Sequence, residues 1–175
     1  MITWKKHFLY QVDYQHWAND ILFASLDHLD DAARRSPQGL FFENVHKTVE
    51  HLLLENRNWM ARLRQEPPPA QDRARDGEWK DLKNALRLDM RDMQRWLDAQ
   101  PDSFFDQRLS YLATNNQSHS AWVRDILTHI MTHMAHHRGQ LSAVATRLGA
   151  PMPEMDFITY RREMGEHLEH IRQQQ

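Results

Sequence analysis

The chain has 175 residues, with 22 Lys and Arg against 24 Asp and Glu for a net charge of −2, and no cysteine. That length predicts one domain with a substantial core, the missing cysteine excludes disulfides and thiolate zinc sites, and the balanced charge excludes a fold held mainly by nucleic-acid phosphates. Only 5 Gly and 7 Pro argue for long uninterrupted segments, and the absence of any apolar run near the roughly 18–20 residues that span a bilayer, or of a signal-peptide core in MITWKKHFLYQVDYQ, predicts a cytoplasmic protein with no membrane partner.

From about Lys5 to Leu29, Tyr14, Trp17, Ile21, Leu22, Leu26 and Leu29 recur at spacings of three and four, the stripe of an amphipathic helix. Pro37 and Gly39 interrupt. Val45, Val49, Leu52, Asn56, Trp59 and Leu63 then repeat the pattern until Pro67, Pro68 and Pro69 forbid its continuation. A third helix runs from about Glu78 through Leu82, Leu86, Met93, Trp96 and Leu97 to Pro101. In RLSYLATNNQSHS, the alternation of Leu109 and Tyr111 before an Asn-Asn turn signal predicts a short hairpin or an extended crossover. The fourth helix is the longest, from Ser120 as N-cap through Val123, Ile126, Leu127, Ile130, Met134, Leu141, Val144 and Leu148, with Gly149 and Pro151 to end it. Ile158, Arg161, Met164, Leu168 and Ile171 predict a short fifth helix from Phe157 to Ile171. The expected fold is all-α, a four-helix bundle with a short additional C-terminal helix and functional side chains projecting inward from facing helices.

Histidine stands out, with 12 copies, four of them between His129 and His137. At about 100° per residue, taking His133 as zero, the apolar face of the fourth helix centres near 60°. His137 falls near 40°, so His133 and His137 face inward, whereas His129 and His136 lie at the edge, at about −40° and −60°. Residues four apart approach within roughly 6 Å at Cβ, so two such imidazoles can converge on one ion. Buried without partners, or both protonated, they would be costly. A divalent metal that takes their neutral nitrogens removes both costs. Hydrogen-bonded core histidines are the bland alternative. A third ligand must come from another helix, where His46, His51 and Glu55 are candidates that the helical projection does not separate.

Among other candidates, Glu43 and His46 form an E-x-x-H, but a di-iron bundle needs a second such motif and further inward glutamates, which the fourth helix lacks. Trp17, Trp59 and Trp122 are expected in the core, with a pocket wall as the alternative for one of them, and the methionines at helical spacing are expected in the core. Arg138, near 140° on the projection, is expected to cap a carbonyl or pair across the bundle, with an anionic substrate as the functional alternative. His136 is expected on the surface or behind a ligand.

The chain resembles the DinB family, the bundles of the DinB/YfiT-like superfamily, over nearly its whole length. The resemblance rests on YQHWAND from Tyr14 to Asp20, VHKTVEHLLLENRNWMARL from Val45 to Leu63, HMAHHRGQL from His133 to Leu141 and the closing GAPMPEMDFITY from Gly149 to Tyr160. It implies a divalent ion held by one histidine of the second helix and two of the fourth, which by motif position are His51, His133 and His137. Many relatives have an aspartate where this chain has Asn56, so no role that needs an anion there carries over. Glu55 points about 100° away and is no simple replacement.

Three neutral ligands leave a Zn²⁺, Ni²⁺ or Mn²⁺ ion its full charge and an open position, the arrangement of catalytic sites. The resemblance to thiol-using superfamily members implies a metal-dependent S-transferase that employs a low-molecular-weight thiol, or a hydrolase, acting on a small-molecule substrate. The alternative is a non-catalytic metal-binding or stress-response bundle working as a homodimer through one face. No nucleic acid is expected as a partner.

Overall fold

The computed structural model describes residues 2–67, 69, 77–113 and 115–164. Four long helices carry the architecture: α1 (Trp4–Leu26), α3 (Val45–Arg64), α4 (Trp79–Ala99) and α5 (Val123–Arg147). Between them lie a one-turn helix α2 (Asp31–Arg35), a 3₁₀ turn (Asp102–Asp106) and the strands β1 (Arg108–Leu112) and β2 (Ser118–Trp122). The protein is mostly helical, and the expected all-α bundle holds except for this two-stranded ribbon. No described helix is long and apolar enough to cross a membrane.

Helices α1 and α3 each pack against both α4 and α5, so α1 and α3 sit on one diagonal and α4 and α5 on the other. The long connections, one through α2 and the other through the ribbon, make the two diagonal steps. This order puts α3 beside α5. Leu22, Leu26, Val49, Leu52, Leu86, Met93, Leu127, Met134 and Leu141 meet along the bundle axis, all buried. Burial of that much apolar surface is the main favourable term in folding.

The ends of the helices follow local chemistry. Asn44 caps α3, its side chain accepting from Lys47 N at 2.9 Å and donating to the Arg35 carbonyl at 3.1 Å. The prolines do not stop α3. It ends earlier, at Gln65 in the left-handed region (φ 56°), with Glu66 N donating to Ala61 O at 2.9 Å. Helix α5 closes in the same way at Gly149 (φ 81°), where Ala150 N donates to Ala145 O at 2.9 Å; only a residue without Cβ takes that angle freely.

Two expectations need correction here. Ser120 is not the N-cap of α5: it pairs with Ser110 in the antiparallel ribbon, and the helix begins after Trp122 with no side-chain cap. The hairpin resolves the choice left open between ribbon and crossover. Ile158 is 64% exposed and does not dock the C-terminal helix, of which 157–164 are described. Tyr160 docks it instead, buried between Tyr14 and Trp17 and donating to Asp13 Oδ2 at 2.5 Å. Leu168 and Ile171 lie outside the described residues. The isolated helix α2 lacks any periodic stripe that sequence could reveal.

Asn44→Ala removes both the cap and the tie to Arg35. The expected loss is about 1–2 kcal/mol of unfolding free energy, read from chemical denaturation.

Candidate metal centre

The packing of α3 against α5 brings His51 to His133 and His137. His133 Nε2 lies 3.3 Å from His51 Nε2 and 3.2 Å from His137 Nε2. One ligand atom from each ring falls within 4.8 Å of the others. His51 and His133 are half-buried and His137 is buried. His137 Nδ1 donates to Gln140 Oε1 at 2.8 Å, which leaves its Nε2 as a bare lone pair when the ring is neutral. A single proton cannot bridge three clustered nitrogens. Nitrogens bound tetrahedrally to a zinc-like ion at about 2.0–2.1 Å stand about 3.3–3.4 Å apart, so the spacing found here suits one shared cation.

Burial is the main cause that pushes the imidazoles toward neutrality. It holds His51 and His133 at about 4, well below the ordinary 6.5, with the charge of His137 adding to the effect. His137 is lowered as well, again chiefly by burial. Glu55 acts the other way on His133, so its carboxylate is within electrostatic reach. It lies one turn beyond His51 and accepts from Asn58 Nδ2 at 3.3 Å.

Aromatic rings wall the centre on two sides. Phe42 stacks on His51 with centroids 3.8 Å apart and stands 5.6 Å from His137. The loop that places it is tightly turned, with Gly39 and Glu43 both at φ 70° and Gln38 N bonded to Glu43 O at 2.8 Å. That turn leaves Phe41, 87% exposed, at the rim. On the other side the rings run from His133 to His129 at 5.5 Å, to Trp59 at 4.9 Å and to Tyr111 at 5.3 Å. The Gly-Leu-Phe-Phe run before a helix cap was the available signal for Phe42, but nothing in a single sequence says which histidine such a loop will touch.

The other candidates lie elsewhere. His46 is buried against Trp79, with Nε2 3.4 Å from Glu50 Oε1 as an ion-pair contact without hydrogen-bond geometry. Glu43 pairs with Lys47 at 2.5 Å, so the E-x-x-H does not assemble. Asn56 is 3% exposed and sits about 140° around α3 from His51; it takes no part in the cluster. His129 and His136 are exposed, as expected, and Gln140 Nε2 donates to His136 Nε2 at 3.1 Å. Trp17, Trp59 and Trp122 are only half-buried, a correction to their expected place in the core: each lies at an edge, and the Trp17 indole reaches Glu163 at 2.9 Å. Arg138 does pair across the bundle. It donates to Gln15 Oε1 at 2.6 Å, Asn19 Oδ1 at 3.2 Å and Tyr14 Oη at 3.1 Å.

A family model described as the DinB family matches residues 3–172. The chain belongs to the DinB family. A solved structure of YfiT from Bacillus subtilis, described as "a probable metal-dependent hydrolase with an unusual four-helix bundle topology", matches with a TM-score of 0.62 at 12% identity, over 81% of this chain and 87% of that one. At that identity the likeness speaks for the fold. The comparison with curated proteins gave no match.

The depressed imidazoles set a pH dependence. In the metal-free protein folding lowers all three imidazoles, His51 and His133 to about 4 from the ordinary 6.5, so the unfolded chain binds more protons as pH falls from about 6.5 toward 4. Melting temperature is therefore expected to drop through that window, and His133→Ala to flatten the drop, both read by circular dichroism across a pH series.

Proposed function

We propose that this protein is a metal-dependent enzyme in which His51, His133 and His137 hold a divalent ion and a small nucleophile, a low-molecular-weight thiol or water, attacks a small electrophile beside it. The observation that carries the reading is the meeting of three neutral imidazole nitrogens from two helices at a half-exposed point. The residues fit Zn²⁺, Ni²⁺ or Mn²⁺ coordinated through nitrogen. When bound, such an ion keeps its full double charge and lowers the pKa of an incoming water or thiol toward neutrality.

The chain's own groups do the rest. Gln140 holds the tautomer of His137, and Phe42 fixes the plane of His51 while keeping water from that side. Glu55, one turn beyond His51 on the same face of α3 and within electrostatic reach of His133, would take the nucleophile's proton. In thiol transfer one S–C bond forms, the leaving group departs with the electron pair of the broken bond, and the thiol proton passes to Glu55. The chain has no cysteine, so the sulfur enters with a cosubstrate. The description of YfiT as "a probable metal-dependent hydrolase" supports water as the second nucleophile to test.

Zn²⁺, Ni²⁺ or Mn²⁺ at about one hundred times its dissociation constant is expected to stabilise the fold by about 2.7 kcal/mol, a rise of about 5–10 °C in melting temperature for a domain of this size. His133→Ala is expected to abolish that rise, and an unshifted wild type sinks the metal reading. Turnover of chlorinated or epoxide electrophiles by the loaded protein only when a thiol is present supports the transferase; thiol-independent turnover of esters or amides supports the hydrolase. Inertness toward every pair leaves a non-catalytic metal-binding bundle.

A further inference from the structure

The face of α3 that bears His51 continues past the three histidines. Glu55, Asn58 and Arg62 lie within about 40° of His51 around the helix axis, and Arg62, eleven residues on, is about 16 Å along it. There a cleft of about 710 Å³ opens between the C-terminal half of α3 and the ribbon, lined by Asn58, Arg62, Ser110, Tyr111 and Ser118 among others. Ring contacts run from Tyr111 at the cleft through Trp59 and His129 to His133.

Arg62 is held by two rings and one carbonyl. Its guanidinium lies over the Trp59 ring at 4.4 Å and faces Tyr111 at 5.6 Å. Its Nε donates to the Leu112 carbonyl at 3.3 Å. A guanidinium carries five N–H donors, and the four on its terminal nitrogens have no partner among the described residues, nor does any described carboxylate pair with it, although Glu66 lines the same cleft. Stacking on two rings fixes the plane of the fork at little further entropic cost, which is how a carboxylate is received in bidentate geometry. A single cation with a glutamate nearby favours a singly charged carboxylate over a phosphate dianion.

We propose that Arg62 binds the carboxylate end of an elongated cosubstrate, an organic acid whose reactive end, a thiol, lies at the three-histidine centre. The proposal rests on the enzyme reading for what happens at that end, but the carboxylate site stands on Arg62 and its cleft alone.

The test uses S-methylglutathione, which keeps both carboxylates and has its thiol blocked, and S-methylglutathione diethyl ester, which lacks both carboxylates. Each is titrated by calorimetry into Zn²⁺-loaded and metal-free wild type and into Arg62→Gln. Saturable binding of S-methylglutathione by metal-free and loaded wild type is expected, with Arg62→Gln and the diethyl ester each weakening it by about tenfold or more. The acid-to-ester preference is expected to vanish in Arg62→Gln, which mere loosening of the ribbon would not produce, and Arg62→Lys is expected to restore part of it. Equal affinity of wild type and Arg62→Gln, equal affinity of acid and ester, or no saturable binding by about 10 mM overturns the proposal. Tighter binding of inorganic phosphate than of S-methylglutathione overturns the carboxylate assignment. Loss of the Zn²⁺-induced thermal shift with the Arg62 effect intact would instead count against the metal reading alone.

Discussion

Two imidazoles one turn apart on α5 cannot close a three-nitrogen centre by themselves. The third ring must come from a helix whose axis runs within about 8–10 Å, and the diagonal order of this bundle makes that helix α3. In a simple up-and-down bundle, consecutive helices are neighbours throughout. Here the connections through α2 and through the ribbon carry the chain across the diagonal, so the second and last long helices lie side by side. The same connections then serve the site: the segment after α2 supplies Phe42, and the ribbon supplies Tyr111 and the far wall of the cleft.

Adjacency alone does not aim the rings. The apolar face of α5 is broad, and a modest rotation of the helix would keep most of its core contacts while turning His133 away from His51. Arg138 limits that rotation. It is 3% exposed, next to His137 in the chain, and its donors meet three neutral acceptors on α1. Burial lowers its pKa, and no described carboxylate offsets that cost; hydrogen bonds to Gln15, Asn19 and Tyr14 do so instead. Asn19 belongs to the Trp-Ala-Asn run of α1, with Ala18 fully buried beside it. The two most recognisable stretches of the sequence thus touch each other through Asn19 and Arg138, and the polar cluster they form faces α1 while the histidines next to it face α3.

Periodicity was enough to find the four long helices, because each presents an apolar stripe to one core. It was enough to turn His133 and His137 inward as well, since their angular place depends only on helix geometry. It could not choose His51. That ring sits on the flank of its stripe, half-buried, and its meaning comes from a neighbour 82 residues away in the chain. The resemblance to a family named it. Boundaries failed where local and tertiary signals compete: Gln65 takes a left-handed angle before the prolines act, and Ser120, a good N-cap by type, is taken by the pairing of the ribbon. Tyr160 replaced Ile158 as the anchor of the C-terminal segment because its hydroxyl has a carboxylate waiting at Asp13.

Asn56 shows why a departure from a family pattern needs its surroundings before it is given a meaning. Its amide is buried with neither polar atom bonded, in a small cavity bordered by Arg57, Arg64, Asp89 and Asp92. Both arginines are already ion-paired across α3 and α4, Arg57 with Asp89 and Arg64 with Asp92. An aspartate at this position would add a buried carboxylate where two guanidinium groups are already committed to the half-buried Asp89 and Asp92, and its desolvation would go uncompensated. A neutral amide avoids that charge. The position lies about 140° around α3 from His51, and the acid that acts on His133 is Glu55.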